Sequence, residues 1–457
     1  MSSASARPGK FDVRALPTAQ REVLLEISNL LLRRRAQGYL VGGFIRDYLK
    51  GNDCRDLDIT VAGIDPDAVA AHIARRPGFS RPVVFPRFRT VMVVGNGLKV
   101  EVCRLEGDLA GDALRRDFTV NCLYIDLAGL MQGPAPILDP TRSGIADLKV
   151  AILRAPSDPL YTLWLDPLRM LRAARFHATD GFRVDAALAR AVERMAYLLV
   201  RVSQERIRGE LERILLSRRI ERAVVSMQRN GILCVVMPEV AATSGFEQGT
   251  PYHAYDLFTH LVKTAAGTPS DLSLRLAGLL HDVGKTAVQM RKGGRMVYYG
   301  HETASAQVAA SLLRRLRFSN RTVGKVEFLV ANHMINYSVE WSDKAVRRFE
   351  RKMGPNLPDI LSLAAADRKA QRPGPPPDRL LSELIARLQR REEAQPGPLL
   401  PIDGRDIMAI LGIEQGPAVG EAKEYLTEEA LNRGRPLTRA DAIALLGRWS
   451  GAARRTP

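Results

Sequence analysis

The sequence predicts an N-terminal α/β domain with a small mixed sheet, followed by domains that are entirely helical. Short apolar stretches of strand length occur before residue 151, and residues 98–102 alternate between apolar and polar side chains. After residue 151, apolar residues recur mainly at helical spacing, nearly to the end of the chain. A length of 457 residues exceeds one ordinary hydrophobic core, so we expect about three or four domains.

Changes in the pattern divide the chain into five predicted segments. Residues 1–18 are predicted to be a disordered lead-in to the α/β head. A helical neck, a histidine-rich helical domain, and a linker with a helical tail follow the head. The predicted boundaries of these four segments are 19–150, 151–245, 246–370 and 371–457. The linker itself is the proline-rich stretch 371–378, and the helices with basic faces beyond it are predicted to form an RNA-binding tail.

The net charge of +17 favours a polyanionic partner, and nucleic acid is the commonest one. A basic soluble protein without such a partner is the alternative. The four cysteines form no C-x-x-C pair and no zinc spacing, which predicts a reduced, cytoplasmic protein. The polar N-terminus is not a signal peptide, and no apolar run is long enough to span a membrane. We therefore expect no membrane partner, while the sequence does not define an oligomeric state.

The elements of the head are predicted in chain order from periodicity. Residues 19–35 repeat apolar side chains at helical spacing and lead into a short strand at 39–41. A Gly42-Gly43 turn follows that strand. A second strand begins at Asp56, and further strands are expected at 83–85, 90–94 and 99–104.

Asp56 and Asp58 form the most informative pair in the head. At positions i and i+2 of a strand they point to the same face, where two carboxylates repel unless a cation lies between them. A hard divalent cation takes oxygen ligands, and Glu101 on a later strand is a candidate third carboxylate. The turn at Gly43 brings backbone N–H groups close to an anion, and Arg46 adds a charged donor. A metal-bound polyphosphate would use both the acidic residues and the glycine turn with its arginine. The alternative is a turn with acidic residues at the surface.

Two groups of arginines extend this prediction. Arg115 and Arg116 precede a strand-like run and suit phosphate or RNA binding. Asp166 and Pro167 are predicted to start a helix as N-cap and first residue. Residues spaced by threes lie near one face of that helix: Asp166, Arg169, Arg172 and Arg175. The repulsion between these arginines predicts a polyphosphate or a base as ligand, and a solvated basic face is the alternative.

Four motifs occur in a characteristic order: G-G-x-x-R-D, D-x-D, R-R-D-F-T-x-N and D-P-x-x-x-G-x-x-D-L. Together they resemble the tRNA nucleotidyltransferase and poly(A) polymerase family of bacteria and eukaryotes, over roughly residues 20–240. The resemblance implies transfer of CMP, and of AMP, from CTP and ATP to the 3′ end of tRNA. It implies that Asp56 and Asp58 hold Mg²⁺, and that Arg46, Arg115, Arg116, Arg172 and Arg175 bind phosphates.

The resemblance also implies that Asp166 and Arg169 select the base. A carboxylate accepts and a guanidinium donates, so this pair would bind cytosine or adenine and reject uracil and guanine. The family usually has Glu before this Asp, whereas Leu165 stands here, which removes a brace on Arg169.

A second predicted site lies in the histidine-rich domain. Imidazoles and carboxylates brought together from separate helices are typical of a metal site. The pattern is similar to that of the HD-type metal-dependent phosphohydrolases, in which a divalent, possibly transition, metal is bound. The resemblance assigns metal ligation to His260, His281, Asp282 and Asp367. It assigns a second metal or the substrate to His301, His333 and Lys285. The implied activity is hydrolysis of 2′,3′-cyclic, 2′- or 3′-phosphate ends of RNA.

Three other functions stay open at this point. The segment between Glu101 and Arg115 is short and lacks the basic pair followed by Pro and Asp that CCA-completing members usually carry, which favours a CC-only product. A poly(A) polymerase is the second alternative. The third is an RNA-binding or nucleotide-sensing protein without catalysis, against which the intact Asp56 and Asp58 pair argues.

Overall fold

The computed structural model describes residues 10–86, 89–249, 254–293, 295–371, 379–394, 400–433 and 435–453. The chain divides into two compact units, residues 1–331 and residues 332–457. The first unit contains an α/β head and a long helical continuation, and the second unit is helical. The predicted fold class is confirmed.

Strands occur in the first unit, and most of them lie in the head. In chain order they are β1 (Lys10–Phe11), β2 (Gln37–Val41), β3 (Asp56–Ala62), β4 (Val83–Phe85), β5 (Thr90–Gly95), β6 (Leu98–Arg104), β7 (Tyr124–Asp126), β8 (Ala135–Pro136), β9 (Ile152–Leu153), β10 (Arg183–Val184), β11 (Met290–Lys292) and β12 (Arg295–Val297). Six of them form one mixed sheet in the order β4-β5-β6-β3-β2-β7. Within it β3 and β6 are parallel neighbours, and the other adjacent pairs are antiparallel.

The first unit contains seventeen α-helices within its described residues, and the helix predicted over residues 19–35 is confirmed as the first of them. In chain order they are α1 (Thr18–Arg34), α2 (Gly43–Leu49), α3 (Pro66–Ile73), α4 (Leu109–Leu114), α5 (Gly144–Lys149), α6 (Pro159–Leu165), α7 (Arg169–Thr179), α8 (Ala186–Met195), α9 (Gln204–Leu215), α10 (Ile220–Arg229), α11 (Ile232–Val236), α12 (Pro238–Ala241), α13 (Leu257–Gly267), α14 (Leu272–Leu280), α15 (Lys285–Val288), α16 (His301–Arg315) and α17 (Asn320–Ala331).

The core of the head lies between the sheet and helices α1 and α3. Leu57, Ile59 and Val61 of β3 are fully buried, as are Leu24 and Ile27 of α1. In β6 the apolar residues are buried, whereas Lys99 and Glu101 are only half-buried, as the alternating pattern predicts. The sheet therefore offers one packed face and one accessible face, and the latter carries the acidic residues.

Three predicted details of the first unit are wrong. The disordered lead-in does not extend to residue 18, because β1 pairs with β8 and Phe11 is fully buried; residues 1–9 lie outside the described part of the chain. Strands do not end at residue 151: β9 pairs with β10, and β11 and β12 form a hairpin. The helix predicted to start at Asp166 starts at Arg169, after a turn.

The second unit consists of helices in the described residues. They are α18 (Asp343–Met353), α19 (Leu357–Gln371), α20 (Arg379–Ala394), α21 (Gly404–Leu411), α22 (Pro417–Arg433) and α23 (Arg439–Ala453). Helices α21, α22 and α23 enclose a small core that includes Ile407, Leu426 and Leu446. The predicted linker 371–378 lies outside the described residues except for Gln371, which ends α19. Among the described residues, no helix combines the length and the apolar character that a membrane span requires.

Candidate active site

The two aspartates of the head lie at the start of β3, and Glu101 lies beside them on β6. Asp58 is paired in register with Glu101 across the parallel strands, and Asp56 with Lys99. The Lys99 Nζ lies 2.5 Å from the Glu101 Oε1, so a cation already approaches the acidic group. Burial and the neighbouring Glu101 carboxylate raise the pKa of Asp58 to about 6. The sheet thus places the three predicted residues at neighbouring positions on β3 and β6.

The Gly42 turn holds the backbone against this carboxylate group. Gly42 has φ +83° and ψ −142°, a conformation that only glycine adopts without strain. A β-carbon at this position would lie 3.0 Å from the Asp58 Oδ2 and 3.9 Å from an Arg116 guanidinium nitrogen. Gly43 begins α2, and at Gly42 the turn leaves no room for a side chain between the backbone and Asp58.

Arg46 of α2 is buried beside this turn. Its guanidinium donates hydrogen bonds to Asn121 Oδ1 at 2.7 Å and to both carboxylate oxygens of Asp47 at 2.8 and 3.0 Å. It also lies 4.8 Å from the centroid of the Phe176 ring. These contacts fix α2 to neighbouring segments of the chain, whereas its predicted contact with phosphate stays a prediction.

The Arg115 and Arg116 pair is organised by an acid that the sequence reasoning did not single out. Asp112 on α4 is fully buried, and its carboxylate accepts hydrogen bonds from Arg115, from Arg116 Nε at 2.9 Å and from Tyr124 Oη at 2.6 Å. Burial would raise the pKa of Asp112, but Arg116, Tyr124 and Arg115 together lower it. Because the acid stays charged, it orients both guanidinium groups, and Arg115 keeps 42% of its side chain exposed.

Asp166 lies in the turn before α7 and is held by Arg206 of α9. The two guanidinium nitrogens of Arg206 donate to the two oxygens of Asp166 at 2.8 and 3.2 Å. The Asp166 side chain also accepts the Leu168 N–H at 3.2 Å, so it caps the turn although the helix starts later. This bidentate geometry fixes the plane of the carboxylate.

Arg169 is braced by main-chain carbonyl groups. It donates to the Thr162 carbonyl at 3.0 Å and to the Arg115 carbonyl. The Glu that Leu165 replaces is therefore not needed to hold this side chain. The contacts connect α6, α7 and the end of α4 around the predicted base-selecting pair.

The other two arginines of α7 meet carboxylates of the protein itself. Arg172 pairs with Asp117 at 2.6 Å, and Arg175 pairs with Glu210 of α9 at 2.6 Å. Burial alone would raise the pKa of Asp117, but Arg172 and a hydrogen bond from Asn121 lower it to about 2. Internal acids thus compensate the charge repulsion from which a ligand was inferred. Phosphate binding by Arg172 and Arg175 stays a prediction.

A second cluster lies where α13 and α14 meet. His260 Nε2 lies 3.1 Å from His281 Nε2, and Asp282 Oδ2 lies 3.6 and 3.3 Å from these two nitrogens. All three side chains are buried, and their potential ligand atoms lie within 4.8 Å of one another. The His281 Nδ1 lies 3.0 Å from the Gly278 carbonyl, which places a proton on Nδ1 and leaves Nε2 as the ligand atom.

Lys285 and His301 surround the same aspartate. The Lys285 Nζ lies 2.6 Å from Asp282 Oδ2 and donates to Gln248 at 2.9 Å. His301 Nε2 lies 3.2 Å from Asp282 Oδ1. Burial would raise the pKa of Asp282, but His281 and Lys285 hold it well below its ordinary value. The neighbouring groups therefore hold the carboxylate in its ionised form.

The remaining predicted residues belong to the second unit. His333 follows the end of α17, and Asp367 lies on α19. Their assignment as metal or substrate ligands stays a prediction.

Comparison with known proteins matches the head and the histidine-rich region to known domain families. Residues 38–108 and 83–154 match the Poly A polymerase head domain, and residues 181–243 match the probable RNA and SrmB-binding site of polymerase A. Residues 253–445 match the HD domain. The A-adding tRNA nucleotidyltransferase of Deinococcus radiodurans is 34% identical over 431 residues, covering 90% of this chain and 95% of that protein. The chain belongs to the tRNA nucleotidyltransferase family.

Further relatives of this nucleotidyltransferase have different products. The CC-adding tRNA nucleotidyltransferase of Thermus thermophilus is also 34% identical, over 90% of this chain and 93% of that protein. The fold resembles the CCA-adding enzyme of Bacillus stearothermophilus in complex with CTP, with a TM-score of 0.63, 23% identity and coverage of 95% and 98% of the two chains. The CCA-adding enzyme of Thermotoga maritima complexed with tRNA gives a TM-score of 0.59 at 19% identity, over 96% and 99%.

The Poly A polymerase head domain and the HD domain both imply the use of divalent metals. In each domain of this nucleotidyltransferase, the candidate ligand atoms fit such a metal. In the head, the carboxylates of Asp58 and Glu101 are oxygen donors of like charge on adjacent strands. In the HD domain, two imidazoles and one carboxylate form a mixed nitrogen and oxygen set.

Several supporting residues of the nucleotidyltransferase were missed from the sequence. They are Asp112, Asp117, Asn121, Arg206 and Glu210. Asp117 and Asn121 belong to the quoted R-R-D-F-T-x-N motif, and Arg206 and Glu210 to a helix interpreted as scaffold. The excess of arginine over acid along α7 was the available signal, because buried guanidinium groups require partners.

Proposed function

We propose that this nucleotidyltransferase builds or repairs the CCA terminus of tRNA, adding CMP and AMP from CTP and ATP without a nucleic-acid template. The observation that carries the proposal is the pairing of Asp58 with Glu101 beside the glycine turn. The names of the relatives, which add CC or A to tRNA, support the same substrates.

Asp56 and Asp58, with Glu101 as a third ligand, would hold Mg²⁺ in the head. When bound, Mg²⁺ supplies charge neutralisation and Lewis-acid polarisation in phosphoryl transfer. In the proposed reaction the RNA 3′-hydroxyl attacks the α-phosphorus of the triphosphate, and pyrophosphate leaves. Arg115 and Arg116, oriented by Asp112, would bind the phosphates. Arg46, Arg172 and Arg175 would also bind phosphates, and their ion pairs within the protein would keep the surrounding segments in place.

Asp166 and Arg169 would select the base. Arg206 orients the acceptor, and the Thr162 carbonyl orients the donor. Cytosine and adenine each present an amine donor beside a ring-nitrogen acceptor, which complements this pair, whereas uracil and guanine present the reverse.

An extension assay tests the proposal. Transcripts of one tRNA lacking CCA, ending in C, and ending in CC are incubated with each triphosphate separately and in combination, and the products are sized. We expect CTP to extend the first two transcripts and ATP to extend the third, with UTP and GTP inactive. Absence of any addition by the wild-type protein would refute the function, and a long A ladder on arbitrary RNA would assign a poly(A) polymerase.

A CC-only product is the second candidate, because one structural observation favours it. Four residues, 105–108, connect β6 to α4. This connection is shorter than the loop expected in members that complete CCA. The same assay separates the two: a CC-only enzyme extends the first two transcripts and leaves the transcript ending in CC unchanged.

The HD domain is proposed to be a metal-dependent phosphohydrolase acting on 2′,3′-cyclic, 2′- or 3′-phosphate ends of RNA. The ionised Asp282 beside His260 and His281 supports metal binding there, and Lys285 supplies a positive charge for a phosphate. A transition metal such as Ni²⁺ or Mn²⁺ suits the mixed donor set. Phosphate release from 3′-phosphorylated and cyclic ends, measured across added metals, tests this activity; no release with any metal would overturn it.

We place these reactions in the cytoplasm. All four cysteines are free thiols in the structure. Free thiols of this kind persist in a reducing compartment.

A further inference from the structure

Helix α6 exposes two aromatic side chains to solvent. Tyr161 and Trp164 are 51% and 54% exposed, and their rings lie 6.3 Å apart with an interplanar angle of 19°. Leu165, one helical turn after Tyr161, is 39% exposed. Because positions i, i+3 and i+4 share one helix face, these three side chains form one continuous apolar surface.

The opposite face of α6 is already used for packing. Thr162 and Leu163 are fully buried, and the helix packs against α8. The exposed rings are therefore not needed to hold the helix in place. Leaving two large aromatic side chains in water forgoes the stabilisation that their burial would give. A functional role for the surface accounts for this arrangement.

The surface lies beside the proposed base-selecting residues. Asp166 directly follows the last residue of α6, and Arg169 donates to the Thr162 carbonyl in the middle of the helix. The Arg169 guanidinium also donates to the carbonyl of Arg115, whose own side chain is 42% exposed. The helix that carries the two rings is thus bonded to the proposed base-selecting Arg169, which in turn bonds to the backbone of the basic Arg115.

These features match a nucleobase stacking surface. Two exposed, nearly parallel rings offer a π-face to a base, and the guanidinium groups of the proposed nucleotide site complement a phosphate backbone. Stacking on aromatic rings tolerates any base, because every base has a π-face. Such a surface suits a strand whose last base changes as nucleotides are added.

We propose that Tyr161 and Trp164 stack against the unpaired 3′-terminal nucleotides of the tRNA and hold that end beside Asp166 and Arg169. The inference rests on the proposed function and adds to it the residues that position the RNA. It assigns the incoming triphosphate to Asp166 and Arg169, and the acceptor strand to the aromatic surface.

Kinetics of single variants test the proposal. We expect Trp164→Ala and Tyr161→Ala each to raise the KM for tRNA about tenfold, within the range of one lost base stack. The KM for CTP and the rate at saturating tRNA are expected to stay at the wild-type values. Trp164→Phe, which keeps a ring, should recover most of the tRNA affinity. Tyr299→Ala removes an exposed aromatic side chain in the HD region and serves as the matched control.

Tryptophan fluorescence supplies a readout that does not depend on turnover. Besides Trp164 the chain has Trp341 and Trp449, so Trp341→Phe with Trp449→Phe leaves one reporter. We expect a short single-stranded RNA ending in CC to quench its emission, and CTP alone to leave it unchanged. Quenching by CTP alone would assign the surface to the incoming nucleotide and overturn the proposal.

Failure of this inference is distinguishable from failure of the proposed function. Wild-type KM for tRNA in both alanine variants, with normal nucleotide addition, would overturn the stacking surface alone; a protein partner on this face would give that result. Absence of nucleotide addition by the wild-type protein would overturn the function, while quenching by RNA would still support the surface.

Discussion

Asp58 and Glu101 occupy directly opposed positions on the parallel strands β3 and β6. Their carboxylates have the same charge, and burial adds to the cost of ionising Asp58, whose pKa is raised to about 6. A bound cation would offset this cost. We therefore expect the arrangement to lower the stability of the protein without metal and to favour metal binding.

Replacement of Asp58 tests metal binding and stability separately. Asp58→Asn should lower nucleotide incorporation at least about a thousandfold, since a ligand of the catalytic metal is lost. In EDTA the same variant should have a higher Tm than the wild type, because a charge repulsion is removed. Incorporation assays and thermal unfolding check the two expectations. Asp67→Asn, an exposed acid on α3, is the control, and normal incorporation by Asp58→Asn would contradict the metal assignment.

Substitution of Gly42 tests the close approach of the turn to Asp58. Gly42→Ala should reduce incorporation strongly, because a β-carbon would lie 3.0 Å from the Asp58 Oδ2. Gly51→Ala is a matched control: Gly51 also has a positive φ, of +71°, but no atom would lie within 4 Å of its β-carbon. Both variants should lose stability to backbone strain of about 1–2 kcal/mol. Equal activity of the two variants would show that the contact with Asp58 has no effect on incorporation beyond that of backbone strain.

The ion pair of Asp117 with Arg172 should make stability depend on acid pH. The pKa of Asp117 is lowered to about 2 in the folded protein, so the unfolded state binds its proton first as the pH falls. The contribution, about 2 kcal/mol, is complete above about pH 5 and is lost as the pH falls towards 2. Urea unfolding between pH 6 and 3 should show this slope in the wild type and a smaller slope in Asp117→Asn.

An exposed ion pair is the control for that experiment. Asp12→Asn removes the partner of Arg14, whose side chain is 69% exposed, and should change the slope much less because solvent screens such pairs. An identical slope in wild type and Asp117→Asn would show that the buried pair does not couple folding to pH.

Arg206 should control base selection without contacting the base. Arg206→Ala removes both hydrogen bonds that fix the Asp166 carboxylate. We expect kcat/KM for CTP to fall about tenfold or more, with a relative gain in UTP incorporation, since the acceptor can rotate. Arg208→Ala, on the same helix but bonded to the Arg317 carbonyl, is the control. Unchanged discrimination between CTP and UTP in Arg206→Ala would contradict this role.

The HD cluster should act independently of nucleotide addition. His281→Ala and Asp282→Ala should each abolish release of phosphate from a 3′-phosphorylated or cyclic end and lower bound metal, measured by elemental analysis, because each removes a ligand atom. Nucleotide incorporation should remain at the wild-type rate. Thr286→Ala, next to Lys285 and outside the cluster, is a control. Retained metal and phosphate release in both variants would refute the site.

The sequence alone determined the kind of fold and the kind of chemistry. Alternation in β6 and helical spacing in α1 predict those elements correctly, because each reflects local burial on one face. The D-x-D pair and the histidine pattern predict the candidate metal ligands, because few side chains provide such ligands. The predicted start of the helix was wrong, because Asp166 caps a turn and α7 begins at Arg169.

Only the tertiary structure decided which charges neutralise each other. Arg172 pairs with Asp117, and Arg206 with Asp166, across separations in sequence that no periodicity encodes. From the sequence, the arginines of α7 required a ligand; in the fold, acids from other segments satisfy two of them. The physical reason is that an ion pair depends on distance in space, whereas a sequence pattern records distance only along the chain.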